Sequence, residues 1–137
     1  MTAASTDAPA AAAVATTPFN QARVMAIVQL SVFEAVNAIT REYEPYLNPA
    51  TTAPPGASVD AAVIVAAHKA LTNYFPAAIA ALNTARDLDL GTIPNGPAKT
   101  AGMAVGLAAA NAMIALRATD GSAPLTTVIW RTPVQSD

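Results

Sequence analysis

The sequence predicts an all-α fold, a compact bundle of about four helices, and three observations carry that prediction. Apolar residues recur at spacings of three and four, the helical period, through most of the stretch from 18 to 122. Proline, glycine and asparagine separate the patterned segments at the places where helices start and stop. Of 137 residues, 35 are alanine, the best helix former, whereas the one β-prone run, Val128-Ile129-Trp130, is too short to make a sheet. The chain divides into a low-complexity arm at 1–17, the helical bundle at 18–122 and an extended tail at 123–137.

The first helix is expected from about Asn20 to Thr40. Met25, Val28, Val32, Val36 and Ile39 form its stripe, and Ile27, Leu30 and Phe33 add apolar surface elsewhere, as in a central buried helix. Asn20 or Thr17 can cap its start, and Pro45 excludes continuation through Glu44. The breakers Asn48-Pro49 and Pro54-Pro55-Gly56 make a loop. Ser58 then caps a second helix, Val59 to Tyr74, with Asp60 in its first turn and a stripe of Val63, Ala67, Ala70, Leu71 and Tyr74. Pro76 suits the first position of a third helix, about Pro76 to Leu88, which Gly91 terminates. Pro97 opens a fourth, which runs to about Thr119 and stops at Asp120-Gly121-Ser122.

Composition narrows the function. There is no cysteine, which excludes disulfides and thiolate chemistry, and His68 is the only histidine. Seven basic and nine acidic residues are too balanced for a nucleic-acid footprint, so no nucleic-acid partner is expected. Leu, Ile, Val and Phe together number only 30, so the core is expected to be thin and to need a partner. The arm at 1–17 has no positive n-region and is not read as an intact signal peptide; the chain is expected to be soluble. Thr100 to Leu116 is uncharged between Lys99 and Arg117. At 17 residues it is near the lower limit for spanning a bilayer, poor in large apolar side chains and without an aromatic belt, so a membrane role is not expected.

The sharpest packing signal is Ala98, Gly102, Gly106 and Ala110, spaced strictly by four on one face of the fourth helix. They make a smooth groove that lets another helix backbone come close. Two interior glycines cost about 0.5–1 kcal/mol each relative to alanine, and close packing would offset that. Glu34 and Asn37 share a face of the first helix, and Arg41 lies one turn beyond Asn37. These three, with His68 on the second helix, are read as a structural polar network, the alternative being a catalytic or ligand-binding carboxylate and a general base. Phosphate loops, nucleophile elbows, calcium loops and di-metal helical sites all lack their parts. Tyr43 and Tyr46 are expected to pack the loop around Pro45 over the helices.

Several runs together resemble a known family. They are Asn20-Gln21-Ala22-Arg23-Val24-Met25, Phe33-Glu34-Ala35-Val36-Asn37-Ala38-Ile39, Tyr43-Glu44-Pro45-Tyr46-Leu47 and Pro54-Pro55-Gly56-Ala57-Ser58. They continue through Ala66-Ala67-His68-Lys69-Ala70-Leu71, Tyr74-Phe75-Pro76, Ile93 to Lys99, Gly102 to Gly106, Arg117 to Ser122 and Trp130-Arg131-Thr132-Pro133. In this order, from about Pro18 to Ser122, they resemble the amino-terminal half of bacterial vanadium-dependent haloperoxidase-like proteins, of the type 2 phosphatidic acid phosphatase superfamily, and the last run resembles the Trp-x-x-Thr-Pro piece that leads into the family's second half. The resemblance implies a helical bundle and an exported protein. It also implies that Glu34, Asn37 and His68 are scaffold. The family binds vanadate or phosphate through a Lys and an Arg, a Ser-Gly-His motif, and an Arg with a second His, all in its carboxyl-terminal half. None of these motifs occurs here, so no catalytic residue carries over, and no cofactor is expected unless that half is supplied separately. The expectation is a non-catalytic scaffold domain, truncated relative to the family, that self-associates or completes a partner. The alternatives are a stand-alone homo-oligomeric interaction module, and haloperoxidase or phosphatase activity only with the missing catalytic half.

Overall fold

A computed structural model describes residues 18–120; the arm at 1–17 and everything from 121 onward lie outside the described residues. The fold is an all-α bundle. Its helices are α1 (Pro18–Thr40), α2 (Val59–Tyr74), α3 (Ile79–Gly91) and α4 (Pro97–Arg117), with a short 3-10 turn at Pro76–Ala78 before α3. The helices α1, α2 and α4 pack on one another, whereas α3 rests on α2 and makes little contact with α4.

Local chemistry sets most of the boundaries. Ser58 caps α2, its hydroxyl accepting from the Ala61 N–H at 3.2 Å. Pro97 stands in the first turn of α4, where its missing N–H costs nothing. The third helix begins three residues later than expected, because Pro76 starts the 3-10 turn instead. At its far end Gly91 remains helical, and Thr92 caps it by donating its hydroxyl to the Asp89 carbonyl at 2.7 Å. The end of α1 is unusual: Arg41 adopts φ 55°, the left-handed conformation that glycine normally supplies, and donates its N–H to the Asn37 carbonyl at 2.7 Å. The cap expected at Thr17 and the stop at Gly121-Ser122 fall outside the described residues.

The core is made of small side chains. Eight of the sixteen buried apolar residues are alanine, and no aromatic ring among the described residues is fully buried. One cluster joins α1, α2 and α4 through Ala35, Ala62, Ala66, Val105, Ala109 and Ala110. Two of the expected stripes are displaced. The buried face of α1 is Val24, Ile27, Val28, Ser31, Glu34, Ala35 and Asn37, while Met25 is 49% exposed. The buried face of α2 is Ala61, Ala62, Val65, Ala66 and Ala70, not the stripe through Val63 and Tyr74. The innermost face of α2 is mostly alanine, which lets α4 approach closely, whereas α1 buries Val24, Ile27 and Val28 beside Ser31, Ala35 and the hydrogen-bonded Glu34 and Asn37.

The glycine groove on α4 is filled from within the chain. A β-carbon at Gly102 would stand 2.2 Å from the Ser58 carbonyl oxygen, and one at Gly106 would stand 2.4 Å from that of Ala62. The occupant is therefore α2, so this face is not free to pair with a second copy. Ala98, the fourth member of the expected stripe, is exposed, but its carbonyl accepts the Ser58 N–H at 2.9 Å, and Ala110 is buried. By length and composition α1 and α4 are both apolar enough to cross a membrane.

Candidate functional site

The network read from the sequence separates into two places. Glu34 is 1% exposed, and its Oε1 accepts the backbone N–H of both Tyr46 and Leu47, the latter at 3.0 Å. One turn on, Asn37 grips the same loop from both sides: its Nδ2 donates to the Tyr43 carbonyl at 2.8 Å, and its Oδ1 accepts the Tyr43 N–H at 2.9 Å. These two side chains satisfy loop backbone groups that would otherwise be buried without partners. The clamp presses Leu47 into contact with Ile27 and Met113 and brings the Tyr43 ring to 6.4 Å from Phe33. Tyr43 and Tyr46 thus cover the bundle as expected, while remaining 68% and 48% exposed.

Two expected members of the network are elsewhere. Arg41 contributes only its backbone N–H; its side chain is exposed and lines the cleft of about 260 Å³ that the clamp leaves beside Glu34 and Asn37. His68 faces α3, where its Nε2 lies 2.8 Å from Asn83 Oδ1. His68 is thus engaged by α3 and not by the Glu34 carboxylate on α1.

A second cluster escaped sequence reasoning. Arg23 on α1 donates through Nη2 to the Arg117 carbonyl at 3.1 Å and to Asp120 Oδ2 at 3.1 Å, joining the first turns of α1 to the end of α4. Its guanidinium stands 6.0 Å from the centre of the Tyr74 ring, and Arg117 lies 5.6 Å from that of Tyr46 while donating to the Tyr46 hydroxyl. Partners 94 and 97 residues apart leave no local signature. Partial burial raises the Tyr74 pKa above the ordinary tyrosine value, and the Arg23 charge opposes part of that rise. The sign follows: a phenol held protonated in the folded state contributes stability below the unfolded-state value, and loses it as pH rises through the raised one. Unfolding midpoints measured above about pH 10 should fall, and Tyr74→Phe should make the fall shallower.

Ser31 is the other residue that was missed. It is fully buried and donates to the Ile27 carbonyl at 2.8 Å, so it presents a short, satisfied side chain to the close-packed face.

An open cleft lies between α2, α3 and α4. Because α3 leans on α2 and away from α4, a cleft of about 620 Å³ remains, bordered by His68 and Lys69 of α2, Arg86 and Asp87 of α3, and Met103 and Leu107 of α4. Among the described residues no group of three or more His, Asp or Glu side chains is placed to hold a metal ion. The fold thus defines the class, an alanine-cored α-helical bundle pinned by side-chain grips on its longest loop. Comparisons of the chain with protein-family models, with curated proteins and with solved structures found no match.

Proposed function

We propose that this chain is a non-catalytic helical scaffold, of the kind that forms the amino-terminal part of vanadium haloperoxidase-like proteins, and that it works by completing itself against a second helical surface. The observation that carries the reading is how its chemically capable side chains are spent. Glu34 and Asn37 border the cleft of about 260 Å³ but hold backbone groups of one loop, and His68 holds Asn83 on another helix and borders a different cleft, so the carboxylate and the imidazole do not converge on one volume. The outward face of α4 supports the second half of the reading. Ala104, Leu107, Ala108, Asn111, Ala112 and Ala115 recur at helical spacing there, exposed and uncharged.

The stand-alone module remains the second reading, favoured by the same face if its occupant is another copy. Pairing through Gly102 and Gly106 is not part of either reading, since α2 already fills that groove.

Light scattering of the purified chain at micromolar concentration tests the proposal, alongside a hydrophobic dye. A dimer or larger species that Ala108→Glu dissociates is the expected result. A monomer that binds dye until a helical partner is added is equally consistent. A monomer indifferent to dye overturns the reading. So does bromide oxidation with vanadate and peroxide, or phosphate-ester hydrolysis, if His68→Ala abolishes it.

A further inference from the structure

We infer that the cleft between α2, α3 and α4 is a binding site for a small amphipathic carboxylate, with an unbranched apolar tail and one negative charge. Its volume, about 620 Å³, falls within the range of small-molecule sites. Val65, Leu90, Met103 and Leu107 give it apolar walls on three helices. Met103 suits a chain of variable shape, because its unbranched side chain adapts to what it packs on.

The charge comes from two cations on the border. Arg86 is partly neutralised by its neighbour Asp87, with Nε and Oδ1 3.1 Å apart. Lys69 differs: no hydrogen bond or ion pair to its ammonium is formed among the described residues. An ammonium with no partner among the described residues, at the edge of an apolar cleft, attracts an anion whose remaining atoms leave water, and it repels a cation of the same shape. One uncompensated positive charge calls for one negative charge. The shape of the cleft has a structural origin as well. The helix α3 buries only Leu90, so it is the element least held by the core and the one that can shift to admit a tail.

This inference does not depend on the scaffold reading; Leu107 borders both the cleft and the outer face of α4, so the test turns on Lys69 and Met103, which that face does not include. The full chain is titrated with decanoate below its micelle range, by calorimetry and by amide chemical shifts. Decyltrimethylammonium and decanol serve as probes of matched length. Saturable one-to-one binding of decanoate is expected, with shifts centred on Val65, Lys69, Leu90 and Met103, no saturable binding of the cation, and decanol weaker by about tenfold or more. Lys69→Gln should weaken decanoate about tenfold and leave decanol unchanged; its melting temperature should stay near the parent's, because its ammonium holds no other group among the described residues. Met103→Glu should abolish binding of both. Equal affinity for the anion and the cation overturns the inference. Decanoate affinity unchanged by Lys69→Gln, or shifts confined to the outer face at Ala108 and Ala112, overturns it as well.

Discussion

Leucine in place of Gly106 lowers the stability of the bundle by about 3 kcal/mol or more, the upper part of the range for overpacked cores. The reason is the distance of 2.4 Å between a β-carbon at that position and the Ala62 carbonyl oxygen, with the Ala66 nitrogen at 3.0 Å. Both atoms are backbone, so no rotamer change relieves the contact and α2 itself must move. That movement would open the alanine contacts of Ala62 and Ala66 with Ala109 and Ala110, which have little area to spare. Gly106→Ala makes the sharper experiment, because two effects of opposite sign compete. Helix propensity alone favours alanine by about 1 kcal/mol. The close approach of α2 outweighs it, so a net loss is expected in urea unfolding. A more stable Gly106→Ala protein would mean that the groove is empty in solution. Gly102→Ala should behave in the same way, since its β-carbon would stand 2.2 Å from the Ser58 carbonyl oxygen.

Glu34→Ala is expected to cost about 2–5 kcal/mol, because it strands two backbone donors and leaves a cavity where a buried side chain stood. The N–H of Leu47 loses its 3.0 Å acceptor, and that of Tyr46 loses the same oxygen. Leu47 is the loop residue that packs on Ile27 and Met113, so releasing its backbone should also loosen that contact. Denaturation gives the size of the loss, and amide hydrogen exchange gives its location, with the Leu47 amide protected in the parent and fast in the variant. Glu34→Gln separates a structural clamp from a catalytic carboxylate: the amide oxygen can still accept both bonds, so most of the stability should remain. A Glu34→Ala protein within about 0.5 kcal/mol of the parent, as for surface changes, would refute the clamp.

Much of the candidate site could be anticipated at the level of residue type and not at the level of partners. Glu34 and Asn37, polar residues in an apolar helix, announce themselves as buried groups that need hydrogen bonds. What they bind is a backbone segment, Tyr43 to Leu47, and backbone groups carry no mark in a sequence. Arg41, expected in the same network, leaves it because the helix ends there in a left-handed residue and the side chain is exposed. His68 and Glu34 share no partner: the imidazole meets Asn83 on α3, and the carboxylate holds the loop at Tyr46 and Leu47. The Arg23, Arg117 and Asp120 cluster was invisible because it joins the two ends of the chain.

From the residues alone follow the helical class, the order of four helices, the Ser58 cap, the Pro97 start and the small-residue stripe on α4. These are local consequences of side-chain shape, φ restriction and hydrogen-bond donors within a few positions. Tertiary structure decided which face of each helix turns inward, that the Gly102 and Gly106 groove receives α2 and not another copy, and that α3 stands off to leave a cleft. In an alanine-rich chain the apolar pattern is nearly uniform around each helix, so periodicity cannot choose the buried face. Closest backbone approach makes that choice, and it is a property of helix pairs.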